Sequence, residues 1–360
     1  MSCVNRLARL REGLLSRSDV DAVLVTNGHN RRYLSGFTGS SGALLISRDQ
    51  ALIITDFRYW EQVAAEVNDF VLVKQDADIW ESIAETVKAH GWRSLAFEVT
   101  DLSVHHYHRL EGLIQGTRLI PLKDELNRLR WSKEPEEVEL LREAARITDC
   151  AWEQTLKVIR PGVRERDIAL EFDYQLRLNG AEGSSFTTIV ISGVRSALPH
   201  GTASDKTVQP GELVLIDGGA LYRGYHADMT RTVVLGRADA EQKRIYHLVL
   251  RAQLLALEGL HAGMTGREAD AIARGFLAGE GYGGDYFGHG LGHSVGLEIH
   301  ESPRLSVSEP EVIPVRAAVT VEPGVYIPGW GGVRIEDLVI VQSDGLLNLT
   351  HSPKMELMEL

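Results

Sequence analysis

Residues 160–183 read RPGVRERDIALEFDYQLRLNGAEG, and residues 261–284 read HAGMTGREADAIARGFLAGEGYGG. At an offset of 101 residues, Gly162 aligns with Gly263, Arg166 with Arg267, Gly180 with Gly281 and Phe186 with Phe287. Each copy follows a helical pattern (about 137–158 and 241–259), then turns into a second helix. Each leads into strand-like segments rich in Val and Ile. A period of about 100 residues is too long for a solenoid. The pattern predicts a duplicated α+β unit, two halves folded around one centre.

Ahead of this pair the chain reads differently. Residues 4–16, 57–66 and 78–91 have helical spacing, and AVLVT (22–26), ALLIS (43–47), ALIITD (51–56) and SLAFEV (94–99) read as buried strands. That alternation predicts an α/β layer domain. No glycine-rich phosphate loop follows any of these strands, which argues against a nucleotide site there. A linker near 125–132 enters the helix of EPEEVELLREAARITDC, with Ser132 as the expected cap and Glu134, Glu136 and Glu137 suited to the positive end of its dipole. The expected domains are therefore 1–127 and 132–360, in keeping with a length of 360 residues.

The formal charge of −12 and the lack of a long Lys/Arg block argue against a nucleic-acid partner. Two cysteines, Cys3 and Cys150, form no CxxC motif and no disulfide framework. No signal-peptide core or membrane-length apolar run is present. The expectation is a reduced, cytoplasmic protein with no membrane partner.

After each helical pair come a histidine-bearing loop and two carboxylates beside apolar strands. These are His200, Asp217 and Asp228 in the first half, and the stretch FGHGLGHSVGLEIHE (287–301), Glu322 and Glu336 in the second. A charge ending a buried run such as LVLI-Asp217 is costly unless paired or metal-bound. In GVRIED, Val333 and Ile335 alternate with Arg334 and Glu336, so the latter two should share one face of a strand. Four carboxylates in one site repel unless cations neutralise them, and two divalent ions match their charge. Oxygen-rich shells with imidazole suit Mn²⁺, Co²⁺, Fe²⁺ or Zn²⁺. Such a pair, ~3.5–4 Å apart, activates water and stabilises a developing oxyanion, which is the chemistry of amide hydrolysis.

His289 and His293 are spaced as in a zinc-peptidase helix, but glycines at 288, 290, 292 and 296 argue against a helix. GLEIHE should then run as a strand. Spacing does not choose a ligand among His289, His293 and His300.

Together, ALPHG, VLIDGGALYRGYHADMTRT, GHGLGHSVGLEIHESPR, VTVEPGVYI and GGVRIED resemble the pita-bread metallopeptidases, in the prolidase and aminopeptidase P branch. RRYLSGFTGSSG (31–42) and TDFRYWEQ (55–62) resemble that branch's N-terminal domain. The resemblance runs nearly the whole chain. It implies a creatinase-type α/β N-terminal domain and an α+β pita-bread catalytic domain of two pseudo-symmetric halves. It implies Asp217, Asp228, His293, Glu322 and Glu336 as ligands of two metal ions, Mn²⁺ foremost and Co²⁺ or Zn²⁺ as alternatives. Asp228 and Glu336 would bridge them. It gives His200 and His300 contact with substrate, and Glu322 a share in proton transfer. His289 and Arg334 become supporting residues, with Arg334 on the Asp228 side. One departure is His226-Ala227, where the family often has serine beside the aspartate.

The implied reaction is hydrolysis of Xaa-Pro bonds by a homodimer. A dipeptidase must recognise the free carboxylate of proline, and Arg304 in HESPR matches a position that does so in some prolidases. The reading favours a dipeptidase, with an aminopeptidase acting on longer Xaa-Pro peptides as the alternative. A methionine aminopeptidase lacks a comparable N-terminal domain. Creatine hydrolases lack metals, and non-enzymatic relatives typically lose ligand residues that are all filled here.

Overall fold

The computed structural model describes residues 3–76 and 78–360, and its contacts divide them between Arg130 and Trp131. The first unit holds strands β1 (Ala22–Val25), β2 (Ala43–Ser47), β3 (Ala51–Thr55), β4 (Val71–Lys74), β5 (Ser94–Glu98) and β6 (Arg118–Leu122) in the order β4-β3-β2-β1-β5-β6. Its helices are α1 (Cys3–Gly13), α2 (Gly28–Ser35), α3 (Trp60–Glu66), α4 (Ile79–His90) and α5 (Val104–Leu113). The central strands are buried throughout, as expected of a sheet covered on both faces. Ile83 and Val87 from α4, Leu110 from α5 and Ile114 just past it pack with Leu24, Leu45, Ile54 and Leu95 of the sheet. α4 starts where Asp78 accepts the Trp80 and Glu81 N–H groups and stops at Gly91, which has φ +66°. The segment expected to be one helix over 57–66 is a 3-10 turn, Phe57–Tyr59, followed by α3.

The second unit begins with α6 (Pro135–Thr155). Ser132 does not cap it: its hydroxyl donates to the Val315 carbonyl at 2.8 Å. The cap is Glu134, whose N–H donates to the Glu137 carboxylate at 2.9 Å, and Pro135 opens the first turn. Proline fixes φ at a helical value and needs no partner for a missing N–H, so the helix begins there.

α7 (Glu165–Leu178) packs on α6, and α8 (Ala240–Gly259) packs on α9 (Gly266–Gly279). Gly162 and Gly263 have φ +86° and +93°, and Gly180 and Gly281 have +106° and +88°, so the aligned glycines fill equivalent left-handed turns. The Gly162 N–H donates to Val208 O at 2.9 Å and Gly263 to Ile313 O at 3.0 Å, a further matched pair.

The strands of this unit are β7 (Gly183–Ser184), β8 (Ile189–Ser192), β9 (Leu213–Gly218), β10 (Ala220–Tyr222), β11 (Tyr225–His226), β12 (Met229–Val234), β13 (Gly292–Ser294), β14 (Glu301–Leu305), β15 (Ala318–Val321), β16 (Gly324–Ile327), β17 (Gly331–Arg334), β18 (Asp337–Val341), β19 (Leu346–Asn348) and β20 (Met358–Glu359). The antiparallel run β8-β9-β12 in one half corresponds to β13-β15-β18 in the other.

Two further expectations are corrected. Residues 296–300 of GLEIHE form a bend, and the strand starts only at Glu301. The Glu301 carboxylate folds back to accept the Glu298 N–H, which an extended segment could not allow. The strand carrying Arg334 also ends there rather than continuing through Glu336. The alternation persists nonetheless: Val333 and Ile335 enter the core, while Arg334 and Glu336 line a cavity. Among the described residues, no helix is long and apolar enough to cross a membrane.

Candidate metal centre

Sheet register brings the acids together. Asp217 sits on β9 opposite Thr230 of β12. Asp228 immediately precedes β12. A Cβ at Gly219 would lie 1.8 Å from the Ala227 carbonyl oxygen, so only glycine lets the chain turn back this tightly beside Asp228. Glu336 is drawn in from the other half, its N–H donating to Thr230 O at 3.1 Å. One oxygen each of Asp217, Asp228 and Glu336 lie within 4.8 Å of one another. Glu322 follows β15, and its N–H is held by Leu291 O at 2.8 Å. His293 on β13 places Nε2 3.5 Å from Asp228 Oδ2 and 3.4 Å from Glu322 Oε1. Gly292 is required here: a Cβ would meet Thr320 O at 2.0 Å.

Three acids are each held by one oxygen; Asp217 and Glu336 leave the other bare, while in Glu322 the held oxygen is the one that faces His293. Arg334 Nη2 donates to Asp217 Oδ2 at 2.6 Å, Thr230 to Glu336 Oε2 at 2.6 Å and Thr320 to Glu322 Oε1 at 3.0 Å. Asp217 Oδ1, Asp228 Oδ1 and Glu336 Oε1 are buried without a hydrogen-bond partner. Burial, then repulsion by neighbouring carboxylates, pushes Asp228 and Glu336 well above the ordinary range. Burial pushes Glu322 to about 7. Burial takes His293 down to about 3, so its ring is neutral at pH 7. Its Nδ1 faces Ser294 O at 3.1 Å, which assigns the ring hydrogen to Nδ1 and leaves a lone pair on Nε2. The Nε2 distances are therefore not those of a salt bridge. A lone pair and carboxylate oxygens converging on one point repel unless a cation or bound protons lie among them, and a cation would displace those protons. The bare oxygens, the lone pair and the acidic donor set all fit hard or borderline divalent ions.

The other histidines differ in what their nitrogens touch. His289 is occupied on both sides: Nδ1 faces Gly290 O at 2.7 Å and Nε2 faces the Tyr326 hydroxyl at 2.9 Å. Arg334 Nη1 donates to that hydroxyl at 2.8 Å, so His289, Tyr326 and Arg334 form one chain ending on Asp217. The expectation placed Arg334 on the Asp228 side, and its charge does lower Asp228. Its direct ion-pair partner is Asp217, which the alternation of GVRIED could not identify. Sequence reading also missed Tyr326, Thr230 and Thr320. Their signal is placement: each lies two to four residues from a site acid.

His200 and His300 stand at the mouth, and the His300 ring packs edge-on against His293 at 4.4 Å between centroids. The His200 loop is held by the fully buried Glu165, which accepts from the Ser192 and Ser204 N–H groups. The 287–291 loop is held by Arg274, which donates to Phe287 O and His289 O and pairs with buried Asp270. All the expected site residues, Arg304 included, border one cavity of about 450 Å³. Phe186, Ile189, Pro199 and Ile299 give it an apolar wall, and Ser306 and Ser308 lie beyond Arg304.

The model of metallopeptidase family M24 matches residues 139–343, and that of the creatinase/prolidase N-terminal domain matches residues 6–131. The Xaa-Pro dipeptidase of Pyrococcus horikoshii is 38% identical, over 98% of this chain and 99% of that one. The solved Xaa-Pro dipeptidase from Bacillus anthracis superposes with a TM-score of 0.96 at 44% identity, covering 100% of both chains. The X-Pro aminopeptidase from Thermotoga maritima superposes at 0.91 with 38% identity, over 99% of this chain and 100% of that one.

Proposed function

Because the chain belongs to metallopeptidase family M24, with that family's creatinase/prolidase N-terminal domain, we propose that it hydrolyses Xaa-Pro dipeptides and releases proline. The observation that carries the catalytic reading is the convergence of a neutral His293 lone pair and bare carboxylate oxygens in one buried site. Asp217, Asp228, His293, Glu322 and Glu336 would hold two divalent ions. Bound there, the ions would supply Lewis acidity and an activated water. Mn²⁺ is the proposed resident, with Co²⁺ and Zn²⁺ as alternatives.

The chain's own groups do the rest. His300 and His200, at the mouth, would donate to the scissile carbonyl oxygen as it gains charge. Glu322 would take a proton at its oxygen facing His293 and pass it to the departing proline nitrogen. The apolar wall excludes water and suits a pyrrolidine ring. A proline bond offers no N–H for an extended-backbone grip, so recognition must come from the ring and the termini.

Arg304 supports the dipeptidase reading. Its guanidinium borders the cavity and makes no hydrogen bond or ion pair among the described residues. It would bind the free proline carboxylate. The likeness to the Thermotoga enzyme favours a second reading, an aminopeptidase acting on longer peptides. Kinetics on Ala-Pro and Ala-Pro-Ala separate the two. The expected result is a strong preference for Ala-Pro that Arg304→Ala removes. Preference for the tripeptide, unchanged in Arg304→Ala, would reverse the assignment. A cytoplasmic homodimer completes the proposal, supported by family resemblance and the sparse cysteines, and sedimentation analysis tests its assembly.

A further inference from the structure

Lys133 and Glu301 form an ion pair of 2.8 Å whose side chains are only 1% and 2% exposed. Neither borders the cavity, and the chemistry above uses neither. A fully buried pair between residues 168 apart is seldom explained by stability alone, because desolvation offsets most of the attraction. What the pair does provide is a fixed position, and the residue it fixes is next to His300.

The local geometry supports this. Residues 296–300 form the bend that places His300 at the mouth. The Glu301 carboxylate lies inside that bend: Oε1 accepts the Glu298 N–H at 3.2 Å, and Oε2 accepts from Lys133 Nζ at 2.8 Å. Gly296 is pressed against the same carboxylate, where an added Cβ would sit 2.7 Å from Oε1. The Gly296 N–H closes the bend onto Glu298 O at 3.0 Å. Lys133 is itself seated by its N–H on Arg316 O at 2.9 Å, one residue before the segment that leads into β15. The carboxylate is thus the keystone of the bend, and Lys133 holds it folded back.

We propose that Lys133 is a positioning residue for the hydrolytic reaction, acting through the Glu301 carboxylate to set the His300 imidazole over the substrate carbonyl. The inference rests on the role given to His300 under the proposed function. Asp217, Asp228, Glu322 and Glu336 lie outside β14, while His293 on β13 pairs with the strand that Glu301 opens, so metal content is measured beside the rate.

The test uses the full chain, loaded with Mn²⁺ and assayed on Ala-Pro. Lys133→Met should lower kcat about 10- to 100-fold, the scale expected when a catalytic group is displaced by about 1 Å. KM should stay near the wild-type value, and metal content per subunit should be unchanged. Lys133→Met/Glu301→Gln removes the isolated charge and keeps an acceptor for the Glu298 N–H, so it should regain most of the lost kcat. In a His300→Ala background, Lys133→Met should cost nothing further. An equal loss of kcat in both backgrounds would overturn the proposal, as would metal loss in proportion to activity. If His300→Ala alone left the rate at the wild-type level, the role given to His300 would fail first, and that result is distinguishable from the others.

Discussion

Arg334→Met removes the cation that contacts the carboxylate cluster directly while keeping a side chain of similar reach. Arg334 is 3% exposed and donates to Asp217, Thr230, Tyr326 and the Pro199 carbonyl. Breaking a buried pair by deleting one partner costs about 3–5 kcal/mol. In a unit of this size each kcal/mol lowers Tm by roughly 2–4 °C, so the metal-free variant should melt roughly 6–20 °C below wild type. A second effect follows from the acids left behind. The Arg334 charge holds down Asp228, Glu322 and Glu336 against the larger upward push of burial. Without it they bind protons more tightly, and an incoming ion must displace those protons. Affinity for Mn²⁺ should fall about 10- to 100-fold, the range for loss of a group that orients a ligand. The loss should be larger at pH 6 than at pH 8. Chelator competition at both pH values, with melting curves in EDTA and in Mn²⁺, measures each part. A variant that melts within a degree or two of wild type and binds the ion equally well at both pH values would refute the electrostatic account.

Three further outcomes are expected. In the metal-free protein, raised carboxylates mean the fold holds protons that the unfolded chain releases, so stability falls as pH climbs from about 4.5 through about 7, at ~1.4 kcal/mol per group and pH unit. His289 and His293, lowered to about 3, act oppositely, stabilising the fold as pH rises from about 3 to 6.5. Above pH 6.5 the carboxylate effect stands without that opposition, so Tm in EDTA should drop between pH 6.5 and 8 and flatten with Mn²⁺ present. A flat curve in EDTA contradicts this. Glu336→Gln should raise the metal-free Tm at pH 8, by relieving repulsion, while weakening Mn²⁺ binding by more than about a hundredfold. Titration calorimetry and melting on one sample test both signs. Gly292→Ala should cost about 3 kcal/mol or more in urea unfolding, because its Cβ would overlap Thr320 O, whereas Gly288→Ala should stay within about 0.5 kcal/mol, its nearest contact being 3.9 Å away.

The apolar strands and paired glycines were legible because each is decided within a few residues. ALLIS is a strand over its full length because a run of such residues must be buried. Gly162 and Gly263 mark left-handed turns whatever surrounds them. The candidate acids stood out because charge beside a buried strand needs a reason. What stayed hidden depends on pairing across the fold. Asp217 and Arg334 are 117 residues apart, and only the packing of β17 against β9 shows that they meet. The histidines of FGHGLGHSVGLEIHE could not be told apart by spacing. They differ in contact: Tyr326 occupies His289, while Nε2 of His293 faces acids. The bend at 296–300 was concealed by an alternating pattern that suits a strand equally well. A proline at 135 outweighed the serine at 132 in starting α6.

The bonds that close the acidic cluster join the middle of the second unit to its end. Thr230 reaches Glu336 across 106 residues, and Arg231 reaches the Ser352 carbonyl across 121. During synthesis, Asp217 and Asp228 leave the ribosome long before Glu336 and the segment that braces it. At that stage a growing chain offers only an open pair of aspartates. The full set of candidate ligands comes together only when the late strands dock, so a metal bound there would be chosen by an almost finished protein.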